Sequence, residues 1–152
     1  LGDVYKRQLQ AGARDVLVLD LEAQQVQSLM NDLGQVQVSV LRTAPLTQDT
    51  LIEAARAAEL LVNATPVGML PKVATSIWPD AVPFPSHVTV FDLVYNPQET
   101  QLLQQARAVG ALGIDGLDML VRQGAVAFEL WTGHPAPFAV MRAACEHALQ
   151  QR

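Results

Sequence analysis

Residues 88–131 read VTVFDLVYNPQETQLLQQARAVGALGIDGLDMLVRQGAVAFELW, and their apolar period switches back and forth between two values. Residues 88–94 are apolar and β-branched, as in a buried strand. Residues 98–109 place apolar side chains at helical spacing and stop at Gly110, a good helix terminator. Residues 111–114 form a second short apolar run. Residues 116–131 are rich in small and apolar residues and continue for the length of a helix. Strand, helix, strand and helix in this order predict a parallel sheet with helices packed on both of its faces.

The same alternation extends outward in both directions. Beyond it, residues 137–149 predict a last helix whose apolar face is Phe138, Met141, Ala144, Cys145 and Ala148. Before it, residues 64–87 carry five prolines. At that length the segment is too long for a mere connection and is read as functional or as built of short turns. Leu60-Leu61-Val62 is a buried strand, and residues 49–58 are a helix that Thr47 can cap. Residues 36–41 alternate apolar and polar, as a strand nearer an edge does. Residues 22–33 set Val26, Leu29, Met30 and Leu33 on one helical face, with Gly34 as the stop. Val16-Leu17-Val18-Leu19 is a continuous apolar run, the pattern of a strand buried on both sides. The fold class is therefore α/β, a doubly wound parallel sheet.

Composition excludes several functions. The 152 residues suit one domain, and half of them are apolar against 16% charged, which is ordinary for a globular chain. The net charge is −5, and the ten basic residues are scattered without a stripe, against nucleic acid or an anionic membrane as partner. No apolar run approaches the roughly 18 residues of a membrane span, and the N-terminus lacks the layout of a secretion signal. One cysteine, Cys145, leaves no internal disulfide and is read as a small buried group on a helix. His87, His134 and His147 have no ligand spacing, so no metal is assigned and each is read as a surface residue. The chain is read as a soluble cytoplasmic protein of unassigned oligomeric state.

In such sheets ligands bind beyond the carboxyl ends of the strands. Polar residues and glycine gather there. The first strand is followed by Asp20 and the next buried strand by Asn63 and Thr65. The 88–94 strand contains Asp92 and is followed by Tyr95-Asn96-Pro97. The last short strand is followed by Asp115-Gly116.

Three segments resemble the shikimate/quinate dehydrogenase family. They are Asn63-Ala64-Thr65-Pro66-Val67-Gly68-Met69; Asp92-Leu93-Val94-Tyr95-Asn96-Pro97 with Glu99-Thr100; and Asp115-Gly116-Leu117-Asp118-Met119-Leu120-Val121-Arg122-Gln123-Gly124-Ala125. Ala127-Phe128 with Trp131-Thr132-Gly133 matches as well, and the resemblance runs from Leu9 to the C-terminus. It implies a Rossmann-like domain that binds NAD or NADP, in an enzyme moving hydride between the cofactor and the ring C–OH/C=O of shikimate or quinate. That reaction belongs to the shikimate pathway of aromatic amino acid biosynthesis.

The implied cofactor contacts are Asp20, Asn63, Thr65, Leu93, Gly116 and Met119. A carboxylate at Asp20 accepts hydrogen bonds from the adenosine ribose hydroxyls and repels a 2′-phosphate. With Leu21 and Glu22 following and no cation before Arg42, it leans towards NAD. The side chains of Asn63 and Thr65 and their neighbouring backbone should line the nicotinamide-ribose path. Leu93 offers backbone contacts. Gly116, lacking a Cβ, lets the backbone approach the nicotinamide amide, and Met119 supplies a soft wall against the ring. The implied substrate contacts are Tyr95 and Gln123. Gln123 lies seven residues, about two turns, after Gly116 on the same helix face, and its carboxamide both donates and accepts. Asp118 stands where many members have glycine and is expected to be solvated.

A Rossmann sheet is ordered 3-2-1-4-5-6, and its acidic residue follows the Gly-rich loop by about 20 residues. Counting back from Asp20 runs past the first residue. The expectation is thus a sheet lacking its first, central strand and its Gly-rich loop. Residues 1–8 are read as a non-native leader and residues 9–152 as a partial NAD(P)-binding domain, with 9–13 the end of a helix. The N-terminal substrate domain, with the family's catalytic Lys and Asp, lies outside the chain, so no catalytic residue is assigned here. Strands flanking the gap must pair directly or leave backbone groups unpaired, which predicts a marginally stable, aggregation-prone chain without turnover. The alternatives are a non-catalytic nucleotide-binding or regulatory Rossmann module, and another Rossmann enzyme such as a folate dehydrogenase.

Overall fold

A run such as Val16-Leu17-Val18-Leu19 cannot expose its backbone groups in an apolar setting, so it must pair them in a ladder. In the computed structural model, which describes residues 12–22 and 41–151, it does so as β1 (Val16–Asp20). Its partner is β2 (Leu41–Pro45), parallel and in register from Val16 opposite Leu41 to Asp20 opposite Pro45. The described part of this strand lies later than the 36–41 expected. The strand can end on Pro45 because a terminal proline needs only to accept, and the following Leu46 N–H reaches the Asp20 carbonyl at 2.9 Å. The expectations for residues 1–11, for most of the 22–33 helix with its Gly34 stop, and for residues 36–40 lie outside the described residues.

The helix α1 (Gln48–Ala57) follows directly after Leu46 and Thr47. Thr47 caps it as expected. The Thr50 N–H donates to Thr47 Oγ1 at 3.1 Å and the Thr47 N–H donates to Thr50 Oγ1 at 3.0 Å, a reciprocal cap. Val18, Leu41, Leu51 and Ala55 are the buried apolar side chains described in this unit, which spans Leu1–Ala57.

The second unit, Ala58–Arg152, holds β3 (Leu60–Asn63), β4 (Thr89–Asp92) and β5 (Gly113–Ile114), all parallel in the order β3-β4-β5. Its helices are α2 (Gln101–Ala108), α3 (Leu117–Thr132) and α4 (Phe138–Gln150). The alternation of strand and helix is that of the α/β class expected from sequence. The core comprises Val88, Val90 and Val94 on and around β4, Leu102, Leu103 and Ala106 of α2, and Leu117, Val121 and Ala125 of α3.

Residues 64–87 contain neither helix nor strand and are built of turns. They carry a small core of their own. Trp78 and Phe84 are buried with ring centroids 4.8 Å apart, and Trp78 Nε1–H donates to the Val82 carbonyl at 2.8 Å. Gln105 of α2 clasps the segment by donating to the Trp78 carbonyl and to Asp80. The apolar face of α4 is rotated from the expected one. Phe138, Met141 and Cys145 are half-buried, but Ala144 and Ala148 are exposed, on a helix that packs mainly on α3. No helix among the described residues is long and apolar enough to cross a membrane.

Leu103 is fully buried on α2, the helix that packs on β4 and β5, and its side chain lies against Gly113 of β5. Leu103→Ala should cost about 2–5 kcal/mol of unfolding free energy through lost burial and a residual cavity. Urea denaturation followed by circular dichroism would read this as a lower midpoint at unchanged slope.

Candidate functional site

The carboxyl ends of β3 and β4 are joined by a buried polar network. Asp92 closes β4 with a carboxylate that is 0% exposed. Its Oδ1 accepts from Asn63 Nδ2 at 2.9 Å and from the Val94 N–H at 3.1 Å, and its Oδ2 accepts from Thr100 Oγ1 at 2.7 Å. The same Thr100 oxygen accepts the Leu103 N–H at 3.3 Å, so it also caps α2. Among the described residues no cation pairs with Asp92. Burial pushes its carboxyl above the ordinary carboxylate range, and the hydrogen bonds from Thr100, Val94 and Asn63 pull against that shift.

Asn63 is 1% exposed and uses its whole carboxamide. Nδ2 donates to Asp92 and to the Val67 carbonyl at 3.3 Å. Oδ1 accepts from the Thr65 N–H at 3.1 Å and from Thr65 Oγ1 at 2.7 Å. The Asn63 side chain therefore shapes the 63–67 turn from inside. Half-buried Thr65 also accepts from the Val67 N–H at 3.2 Å. One residue on, Gly68 holds a φ of +92° that an L side chain rarely adopts.

Beyond Asp92, the Leu93 N–H donates to the Asn63 carbonyl at 3.0 Å. No hydrogen bond among the described residues reaches the Leu93 carbonyl oxygen. Tyr95 is 39% exposed, and its hydroxyl makes no hydrogen bond within the described residues. Gly116, the N-cap of α3, presses against this turn, its N–H donating to the Val94 carbonyl at 3.2 Å. Its backbone is ordinary, with φ of −80°. A Cβ there would stand 2.6 Å from the Leu93 carbonyl carbon, closer still to its oxygen, and 3.0 Å from the Val94 oxygen. The absent Cβ lets the chain's own strand end meet the helix, and the space is filled by Leu93.

Met119 is half-buried and Gln123 exposed on the α3 face that follows Gly116, and the Gln123 carboxamide has no partner among the described residues. Asp118 is not simply solvated: it accepts from Arg142 Nε at 2.8 Å and ties α3 to α4. In the first unit, Asp20 Oδ1 accepts the Glu22 N–H at 2.9 Å, which closes the turn after β1. Arg42 is paired with Asp15. His87, His134 and His147 are exposed. Among the described residues no group of three or more His, Cys, Asp or Glu is placed to hold a metal ion.

The family model described as Shikimate 5'-dehydrogenase C-terminal domain matches residues 116–146, the segment that begins at Gly116 and contains Met119 and Gln123. A shikimate dehydrogenase (NADP(+)) from Methanopyrus kandleri is 40% identical over 137 residues, which is 90% of this chain and 47% of that protein. The chain belongs to the shikimate dehydrogenase family. Among solved structures of this family, the shikimate 5-dehydrogenase of Thermus thermophilus in complex with NADP(H) and shikimate is 39% identical with a TM-score of 0.72. The match covers 91% of this chain and 48% of that one. The Corynebacterium glutamicum quinate dehydrogenase in complex with NAD is 29% identical with a TM-score of 0.81, covering 93% and 49%. The chain thus spans about half the length of the relatives it matches, and its fold is the Rossmann-like one of the family.

Sequence reasoning missed Asp92 and Thr100 as site-building residues. The signal was present: a carboxylate inside VTVFDLV must find donors, and Thr100 stands one residue before a helix.

Two outcomes follow. Gly116→Ala should lower Tm by several degrees or abolish folding, since the contact it would create is with backbone that cannot swing away; differential scanning calorimetry reads this directly. For Asp92 the folded value is raised above the unfolded one. Its titration therefore favours folding most below the ordinary carboxylate range, and the benefit is lost as pH rises through the raised value. The Tm of the wild type minus that of Asp92→Asn should be more positive at mildly acidic pH than at neutral pH.

Proposed function

We propose that the chain supplies the cofactor-facing side of an NAD(P)-dependent dehydrogenase acting on shikimate or quinate, working in the cytoplasm. The observation that carries this is the junction of the β4 end with the α3 N-terminus. At the β4 end stand a Leu93 carbonyl without a hydrogen bond and an unpartnered Tyr95 hydroxyl, and two turns into α3 stands an unpartnered Gln123 carboxamide. These groups fit the proposed ligands. A carbonyl acceptor suits the amide N–H₂ of a nicotinamide, Met119 offers a deformable apolar wall beside it, and a phenol and a carboxamide suit ring hydroxyls or a carboxylate. The nicotinamide would supply the hydride acceptor or donor. This chain's residues bind and orient, while proton transfer at the reacting oxygen is assigned to the Lys–Asp pair that the family carries outside the segment matched here.

For the cofactor we favour NAD. The Oδ2 of Asp20 takes no part in the turn after β1 and can accept from ribose hydroxyls. The first cation after it, Arg42, is opposite Leu17 in the β1–β2 register and engaged with Asp15. That places it three residues back along the strand, about 10 Å at the usual rise per residue. A 2′-phosphate at Asp20 would meet a carboxylate, at a cost of about 1–4 kcal/mol at contact distance near a surface, without a counter-charge from Arg42. Support is mixed among relatives, since the Methanopyrus protein is named for NADP(+) and the Corynebacterium one is bound to NAD.

Two measurements test this reading. A frame extended upstream of the Leu9 codon to a Gly-rich loop and a domain with the Lys and Asp should oxidise shikimate or quinate with reduction of NAD, whereas these 152 residues alone should show no turnover. NADH should bind that extended protein at least tenfold more tightly than NADPH by fluorescence titration, and Asp20→Ala should narrow the ratio. Tighter binding of NADPH by the wild type would refute the cofactor preference while leaving the dehydrogenase reading intact.

A further inference from the structure

Asp92 combines three properties that ordinary core residues lack. It is fully buried, it is ionisable without a cationic partner among the described residues, and its carboxylate is held by donors from three separate segments. A carboxylate in such a place is a poor way to gain stability, since an apolar side chain of similar size avoids its desolvation. What it gains is direction. Oδ1 draws together the end of β3, through Asn63, and the turn after β4, through the Val94 N–H. Oδ2 fixes Thr100, and with it the first turn of α2.

The consequence passes one bond further. The Val94 that donates to Asp92 also accepts from the Gly116 N–H, and Gly116 packs on the Leu93 carbonyl. The orientation of Leu93, Tyr95 and the α3 N-terminus is thus set by one buried group that touches none of the proposed ligands. We infer that Asp92 is a positioning residue, whose carboxylate holds the Leu93–Val94–Tyr95 turn against Gly116 and so keeps the cofactor- and substrate-facing groups of this edge in register. This deepens the dehydrogenase reading above and rests on it for what the edge binds.

The test is amide hydrogen exchange of the 152-residue chain, comparing wild type with Asp92→Asn, which keeps the shape but replaces one acceptor by a donor. The Val94 and Gly116 amides should exchange at least tenfold faster in the variant, while Val90 and Leu103 keep their protection. Uniform acceleration across all four would overturn the inference, because a merely structural role loosens the whole core. In parallel, NADH is titrated by fluorescence against the upstream-extended protein with Asp92 and against its Asp92→Asn variant. Local loosening with at least tenfold weaker NADH binding supports the inference, and local loosening with unchanged NADH affinity overturns it. If the extended wild type itself shows no NADH binding, the cofactor reading fails, while the exchange comparison still decides whether Asp92 holds the turn. Should Asp92→Asn not fold, Thr100→Val removes only the hydroxyl and Thr100→Ser restores it. The Val94 and Gly116 amides must then loosen selectively in the first and recover in the second, or the inference falls.

Discussion

A carboxylate removed from water must find its donors within the protein, and that constraint at Asp92 organises the edge of the sheet on which the proposed function depends. Its donors come from Asn63, Val94 and Thr100, so satisfying one side chain fixes the end of β3, the turn after β4 and the start of α2. Each partner is saturated in turn. Asn63 uses both amide hydrogens and two lone-pair directions, and Thr100 donates to the carboxylate while accepting from the helix. No buried side-chain nitrogen or oxygen is left without a partner among the described residues. The groups without a hydrogen bond here, the Leu93 carbonyl and the Tyr95 hydroxyl, are the ones left over once the interior is satisfied.

Gly116 shows how close packing and chemistry meet at one atom. The helix N-terminus can reach the strand end only because nothing projects from its Cα, and the resulting contact is backbone on backbone. Such contacts have no rotamers to relax, which makes the junction stiffer than one built from side chains. A ligand meeting this edge meets a surface whose shape is decided before binding, the condition under which a few polar contacts give useful discrimination.

The strand and helix order was legible because period and punctuation agree in this chain. Val16-Leu17-Val18-Leu19, Leu60-Leu61-Val62, the Thr47 cap and the Gly110 stop each carry a local physical cause. Boundaries were less so. The strand ending at Asp92 looked longer because Leu93 and Val94 are apolar, yet the Val94 N–H turns to a side chain instead of the ladder. β2 continues to Pro45, past the 36–41 stretch expected, since pairing with β1 supplies the order that local propensity does not. For the site, motif resemblance pointed to this edge of the sheet, but not to what each residue does in the packing. The long-range pair of Asn63 with Asp92, 29 residues apart, and the pressure of Leu93 on Gly116 are tertiary facts with no local pattern to betray them. The apolar face of α4 was misjudged for a similar reason: small residues such as Ala144 and Ala148 say little about which side meets a neighbour.

The folded loop at residues 64–87 has a spectroscopic corollary. The chain has two tryptophans. Trp78 is 3% exposed, wedged against Phe84 with its indole N–H bonded to a carbonyl, and Trp131 near the end of α3 is 85% exposed. One indole therefore reports a dry, rigid surrounding and emits toward the blue, while the other reports bulk water, emits toward the red and is open to aqueous quenchers. The molecule carries two native optical probes with separable colours, one sealed inside the proline-rich segment and one at the solvent edge of the helix that begins just after Gly116.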